Sequence, residues 1–181
     1  VQSGLPPSIR REVEDILNVI QLEAEGALPT AQTLFDGLSN YLSEHGDEKE
    51  RQSPYGQKLR LTPAGRSQPA WSAVEVAADN LAIQVNRLAK KLDQLCSGLD
   101  ALTDYDIPGL EVVTEDLRLH ARRWRDLQDM LNQMVNKPQP DLVYWLESGA
   151  GGGPTSLNAA PLHIGGLIQE HLLNPKDCVV M

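Results

Sequence analysis

The sequence is poor in aromatic residues and in cysteine, and it lacks long apolar runs. Phenylalanine occurs once and aromatic residues make up 4% of 181 residues, which favours helices over a sandwich or barrel. Two cysteines cannot build a disulfide framework or a four-cysteine metal site. No apolar stretch approaches the roughly 18 residues of a membrane span, and no secretory signal is visible. We therefore expect no membrane contact and a cytoplasmic location.

The motifs of nucleotide, metal and hydrolytic chemistry are missing as well. The sequence contains no GxxxxGK[ST] phosphate loop, no DEAH box and no GxSxG elbow. The glycines of residues 149–153 precede no Lys-Ser/Thr pair, so they predict a hairpin loop. The four histidines show no paired-ligand spacing. We expect the chain alone to hold no cofactor or metal, to have no catalytic residues and to be inactive as an enzyme.

Charge is unevenly distributed along the chain, whose net charge is -9. Residues 1–50 carry three basic and ten acidic side chains, residues 51–99 carry seven and three, and residues 100–181 carry six and twelve. The overall negative charge argues against wholesale coating of nucleic acid. Ordinary solvated helix faces account for the basic middle segment on general grounds, and a local binding surface is the alternative.

Heptad spacing between about residues 70 and 102 is the strongest structural pattern. Two apolar series interleave there: Val74, Ala78, Leu81, Val85, Leu88, Leu92, Leu95, Leu99 and Leu102. A break over residues 103–109 precedes a second stripe: Val113, Leu117, His120, Trp124, Leu127, Leu131 and Met134. Two long helices joined by a short turn pack as an antiparallel hairpin. His120 on the inner stripe is expected to be a satisfied core histidine.

Two shorter helices are predicted ahead of this hairpin, one from Ser8 to Gly26 and one opening at Pro29 and closing at Gly46. Residues 47–69 are rich in proline and glycine and read as a long exposed basic loop, with a short strand pair around residues 58–62. The predicted fold class is therefore mainly α. Residues 1–137 form a four-helix body that contains the long antiparallel heptad hairpin.

The pattern changes after residue 138. Residues 142–146 have strand composition, residues 157–160 could return as a second strand, residues 161–173 form a short helix, and residues 177–181 resemble a buried strand. One hairpin and one strand do not form a stable sheet alone. We expect residues 138–181 to be a partial strand-helix-strand segment of a larger α/β domain. Residues 178–181 also match a prenylation box, although only Lys176 supplies a nearby basic residue and a stable anchor usually needs a second signal.

Short motifs in this last segment resemble those of the DinG/XPD-like branch of superfamily 2 ATP-dependent DNA helicases. In that family the chain leaves the first motor domain, builds a helical arch, and returns through a Tyr-Trp-x-Glu strand, an Ala-Pro-Leu segment, an apolar helix and a strand. This sequence has Tyr144-Trp145-Leu146-Glu147, then Ala160-Pro161-Leu162, then apolar residues 167–173, then residues 178–181. The helical part agrees with the arch in order and class.

The resemblance implies that the chain is an accessory arch domain that guides single-stranded DNA past a motor. It further implies that ATP and Mg²⁺ belong to the parent helicase and that any iron–sulfur cluster lies outside this segment. The implied partners are single-stranded DNA and the remainder of the motor. The alternative is a non-catalytic helical bundle or coiled-coil module that binds protein, because heptads report packing only.

Basic residues on three segments are the candidates for DNA contact. Their spacing places Arg118, Arg122 and Arg125 on one helix face, and the antiparallel hairpin brings the partner-helix cations to a similar level. The candidates are Arg118, Arg122, Arg125, Arg87, Lys90, Lys91, Lys58 and Arg60, with Arg51 and Arg66 also in the loop. The alternative is that the arginines pair with Glu115, Asp126, Asp129 and the acidic first helix.

Overall fold

The chain is mainly helical, as predicted, with a small antiparallel sheet at one end. The structure, a computed structural model, describes residues 7–47, 50, 53, 56–102, 105, 107–150, 153–170 and 174. The helices are α1 (Pro7–His45), α2 (Pro63–Arg66), α3 (Pro69–Asp100), α4 (Leu110–Leu131) and α5 (Gly165–Ile168), and α4 continues as a π-helical turn at Asn132–Asn136. The strands are β1 (Gln57–Leu61), β2 (Leu142–Ser148) and β3 (Thr155–Pro161). The strand expected at residues 177–181 lies outside the described residues.

Helix α1 corrects the prediction of two helices in the first 46 residues. It runs through Gly26 and Pro29 without a break, although an interior proline removes one helical hydrogen bond and costs about 3 kcal/mol. The hydroxyl of Thr30 donates to the carbonyl of Gly26 at 3.1 Å, and that of Thr33 donates to the carbonyl of Pro29 at 2.9 Å. Both halves of α1 make apolar contacts, the first half partly buried at the far end of α3 and the second half buried at the sheet end, and these contacts support one continuous helix.

Helices α3 and α4 form the predicted antiparallel hairpin. Contacts between them descend α3 as they ascend α4, from Arg118 with Asp100, through Arg125 with Asp93, to Asn136 with Asp79. The α3 side of the seam is as predicted, and its leucines are buried. Helix α3 lies between the other two long helices, because it packs extensively on both α1 and α4.

The inner face of α4 keeps five of the seven predicted residues, which are partly buried against the apolar core: Leu117, Trp124, Leu127, Leu131 and Met134. It differs at the other two. Val113 is 53% exposed and His120 is exposed, whereas Thr114 and Ala121 are buried. Thr114 and Ala121 are small, so they let α4 approach α3 closely; the thiol of Cys96 lies 3.8 Å from the carbonyl oxygen of Thr114. The prediction of His120 as a core histidine is therefore wrong. The small side chain of Ala121 takes the position against α3, and His120 faces outward.

Strand β1 supplies the third strand that the C-terminal hairpin was expected to lack. The sheet order is β1-β2-β3, with Leu59 opposite Leu146 and Leu146 opposite Leu157. The loop of residues 47–69 was expected to be exposed, with a strand pair of its own near residues 58–62. Instead it provides one strand, which pairs with β2, and the short helix α2. Strands β1 and β2 are separated by 80 residues of the chain, and no local sequence pattern predicts such a distant pairing.

Two apolar clusters stabilise the ends of the helical body. The first, at the sheet end, joins α1 and α3 to the inner face of the sheet and contains Leu34, Leu38, Trp71, Val74, Tyr144 and Leu146. The second, at the far end, joins α3 to the beginnings of α1 and α4 and contains Leu95, Leu99 and Leu102. At 1.5 Å per residue the 32 residues of α3 extend roughly 48 Å between them.

Candidate nucleic-acid interface

The three arginines of α4 pair with acidic residues of the same hairpin. Arg118 contacts a carboxylate oxygen of Asp100 at 2.6 Å and one of Glu115 at 3.3 Å. Arg122 reaches Glu115 at 3.3 Å, and Arg125 pairs with Asp93. The alternative prediction of internal pairing is thus correct in kind. Glu115 is one expected partner, but Asp93 and Asp100 of α3 take the places assigned to Asp126, Asp129 and α1.

These pairs hold the arginine charges against the α3–α4 seam. Hydrogen bonds that Arg118 donates to Asp100, and then to Glu115, raise the pKa of Arg118 above its ordinary value. Its side chain is nevertheless 39% exposed, and that of Arg122 is 61% exposed. Both guanidiniums can therefore meet a phosphate only by sharing or exchanging a carboxylate partner. Exposed pairs of this kind are weak, so exchange is chemically accessible.

Two cations of α3, Arg87 and Lys91, lie toward α1 rather than toward the α4 arginines. Arg87 lines an open groove of about 460 Å³ together with Thr30 and Thr33 of α1. Lys91 lines a second groove of about 390 Å³, whose α1 side carries Glu12 and Asp15, and its ammonium donates to Gln94 at 3.1 Å. The structure therefore does not assemble all predicted candidates into one track.

Arg87 and Lys90 are exposed, and neither has an ion-pair or hydrogen-bond partner among the described residues. Arg60 on β1 is likewise exposed and free of such partners in the described part of the chain. A cation without a carboxylate partner can bind a phosphate without first breaking an ion pair. Of the eight candidates, these three are the best prepared for an external anion.

The outer face of the sheet brings Lys58 and Arg60 next to an indole ring. Lys58 is opposite Glu147 and Arg60 is opposite Trp145 in the β1–β2 register. The ammonium of Lys58 lies 3.3 Å from Glu147, and the indole N–H of Trp145 donates to Glu147 at 3.1 Å. The hydrogen bond from Trp145, and secondarily that from Lys58, lowers the pKa of Glu147.

Arg66 has a structural position that the sequence did not reveal. Its guanidinium donates to the carbonyls of Met134 and Val135, each at 2.8 Å. It also lies 4.9 Å from the ring centre of Trp71 and 5.1 Å from that of Tyr144. Desolvation by burial lowers the pKa of Arg66, but the group stays charged. Arg66 is thus a link between α2, the end of α4 and the sheet, while Arg51 lies outside the described residues.

No group of three or more His, Cys, Asp or Glu side chains is placed to hold a metal within the described residues. None of the helices in that part of the chain is long and apolar enough to cross a membrane. Comparisons with protein-family models, curated proteins and solved structures find no match to this chain. The helicase resemblance rests on the sequence motifs alone and stays a prediction.

Proposed function

We propose that the chain is the accessory arch domain of an ATP-dependent DNA helicase and guides single-stranded DNA past the motor. The observation that carries the proposal is the shared position of the resembling motifs. Residues 144–147 lie on β2 and Ala160-Pro161 ends β3, so both motifs belong to one hairpin. That hairpin packs at the base of the long helical body, as expected where an arch returns to its motor.

The open edge of β3 supports a continuation into a larger sheet. Within the described strands, β3 has only β2 as a neighbour. Unpaired strand edges are templates for further pairing, and a motor-domain strand is the partner that the resemblance implies. On this proposal the parent is cytoplasmic and binds ATP and Mg²⁺, and any iron–sulfur cluster lies elsewhere in it.

The phosphate contacts are assigned to the cations that lack internal partners, namely Arg60, Arg87 and Lys90. Arg118, Arg122 and Arg125 remain candidates that act only after leaving their carboxylates. Lys58 and Lys91 are similarly engaged, with Glu147 and Gln94. Weak, salt-sensitive phosphate contacts suit a domain along which the single strand must slide.

The alternative, a protein-interaction module, is favoured by the apolar surface of α1. Leu17, Leu28 and Phe35 are 47%, 70% and 47% exposed, and spacings of 11 and 7 residues place them on one helix face. A partner helix could cover that face. Single-stranded DNA would then have no measurable affinity for the chain.

The first test is enzymatic and genetic. The purified chain should hydrolyse no ATP, with or without single-stranded DNA, because it lacks the phosphate loop and the metal-holding acids. The gene should encode GKT and DEAH motifs upstream, then a Ser-Ala-Thr motif and a QxxGRxxR-like motif downstream. Nucleotide turnover by a clean sample, or flanking sequence without motor motifs, would refute the proposal.

A further inference from the structure

We propose that the outer face of the sheet holds a stacking site for one unpaired base of single-stranded DNA. The site consists of Arg60, Trp145 and Asn158, one residue from each strand. The inference rests on the proposed function for the identity of the strand, and it assigns base contact to the sheet rather than to the helices.

The three residues form a continuous row across the sheet. Arg60 is directly opposite Trp145 in the β1–β2 pair, and Trp145 is directly opposite Asn158 in the β2–β3 pair. Directly opposed side chains on one face stand about 5 Å apart. A guanidinium, an indole and a carboxamide therefore lie side by side.

The indole of Trp145 is held in place. Residues 145 and 147 share a sheet face because side chains alternate along a strand. The 3.1 Å hydrogen bond from the indole N–H to Glu147 therefore requires the ring to lean along β2 toward Glu147. The ammonium of Lys58 contacts the same carboxylate at 3.3 Å. A ring anchored in this way loses little freedom when a base stacks on it.

The inner and outer faces of the sheet differ in chemistry. The neighbours of Trp145 on β2, Tyr144 and Leu146, are 4% and 0% exposed and face the core, while Trp145 remains partly exposed. The apolar cluster at the sheet end includes Tyr144 and Leu146 but neither Val143 nor Trp145 of the outer face. Trp145 is thus a half-buried indole that lies outside the apolar core formed by the described residues.

The charge and polarity around the ring suit a nucleotide. Lys58 pairs with Glu147, and the carboxylate of Glu50 accepts from the backbone N–H of Lys58 at 3.1 Å. Arg60 has no acidic partner among the described residues and can meet a phosphate. The amide N–H of Asn158 is committed to Ser156 at 2.9 Å, which leaves its carbonyl oxygen to accept from a base edge.

The test compares two labelled strands with equal charge. One is an oligothymidylate of about twelve nucleotides, within the site sizes of single-strand binding folds; the other is abasic and of the same length. By fluorescence anisotropy the intact chain should bind the oligothymidylate roughly 5- to 150-fold more tightly, the range expected for stacking one base. Trp145→Leu should reduce the oligothymidylate affinity to the abasic level, and Trp145→Phe should retain most of the preference.

Phe35→Leu is the matched control, because it removes an exposed aromatic ring from α1 rather than from the sheet. It should change neither affinity. Asn158→Ala should lower only the affinity for the strand with bases, which supports the site even if Trp145→Leu is unstable by circular dichroism. If Trp145→Leu folds and binds both strands as the parent chain does, the site is overturned. Equal binding of both strands by the parent chain overturns stacking but leaves the proposed function standing, whereas binding of neither strand overturns both.

Discussion

Replacing Arg66 tests whether this residue holds the helices to the sheet or serves as a DNA contact. Arg66→Ala removes two hydrogen bonds from a charged donor to the carbonyls of Met134 and Val135, each worth roughly 1.5–3 kcal/mol. It also removes the cation–π contacts to Trp71 and Tyr144, worth about 0.5–2 kcal/mol. These terms overlap, so we expect a loss of about 3–5 kcal/mol in the free energy of unfolding.

Urea unfolding followed by far-ultraviolet circular dichroism and tryptophan fluorescence measures this loss. Arg66→Lys should recover part of it, because an ammonium keeps the charge but cannot present the guanidinium fork to two carbonyls. Arg60→Ala is the control: Arg60 is exposed and free of partners among the described residues, so its loss should change stability by no more than about 0.5 kcal/mol. A loss below about 1 kcal/mol for Arg66→Ala would show that the link between α4 and the sheet is not structural.

Other perturbations probe the seam and the sheet. Leu88→Asp places an unpaired charge at a position that is 3% exposed and should unfold the helical body, as read by circular dichroism. Ala121→Leu should lower the free energy of unfolding by about 1–3 kcal/mol through overpacking, while His120→Leu should change it little. A lower melting temperature for His120→Leu than for Ala121→Leu would show that His120, and not Ala121, faces α3. The lowered pKa of Glu147 means that its stabilising contribution is present above the unfolded-state pKa and is lost as pH falls through the folded-state pKa. Trp145→Phe should raise that pKa in a carboxyl NMR titration, and an unchanged value would contradict the hydrogen bond.

Local patterns predicted the α3–α4 hairpin well because a heptad repeat constrains both period and partner. The repeat also predicted most of the inner face of α4, where Leu117, Trp124, Leu127, Leu131 and Met134 pack against the apolar clusters. It missed Thr114 and Ala121, because apolar periodicity does not detect small residues that are selected by close contact with α3. The break expected at Gly26–Pro29 is absent because propensity is a local cost, and apolar contacts on both sides of it hold α1 against α3.

The candidate site was predictable only in part. Sequence spacing correctly grouped Arg118, Arg122 and Arg125, but it could not reveal that Asp93 and Asp100 lie within reach across the seam. The row of Arg60, Trp145 and Asn158 depends on the register between β1, β2 and β3. The alternation of Tyr144 and Leu146 with Trp145 and Glu147 was the one available signal that Trp145 faces outward.

The salt dependence of single-strand binding tests the central claim most directly. The chain should bind labelled oligothymidylate at low salt, with log affinity falling linearly against log salt concentration. Replacing Arg60, Arg87 and Lys90 together with alanine should flatten that slope by up to about two units, since each lost phosphate contact on a single strand accounts for roughly 0.7. The absence of binding at low salt, or a slope unchanged in a folded triple variant, would contradict the assignment of this chain as a guide for single-stranded DNA.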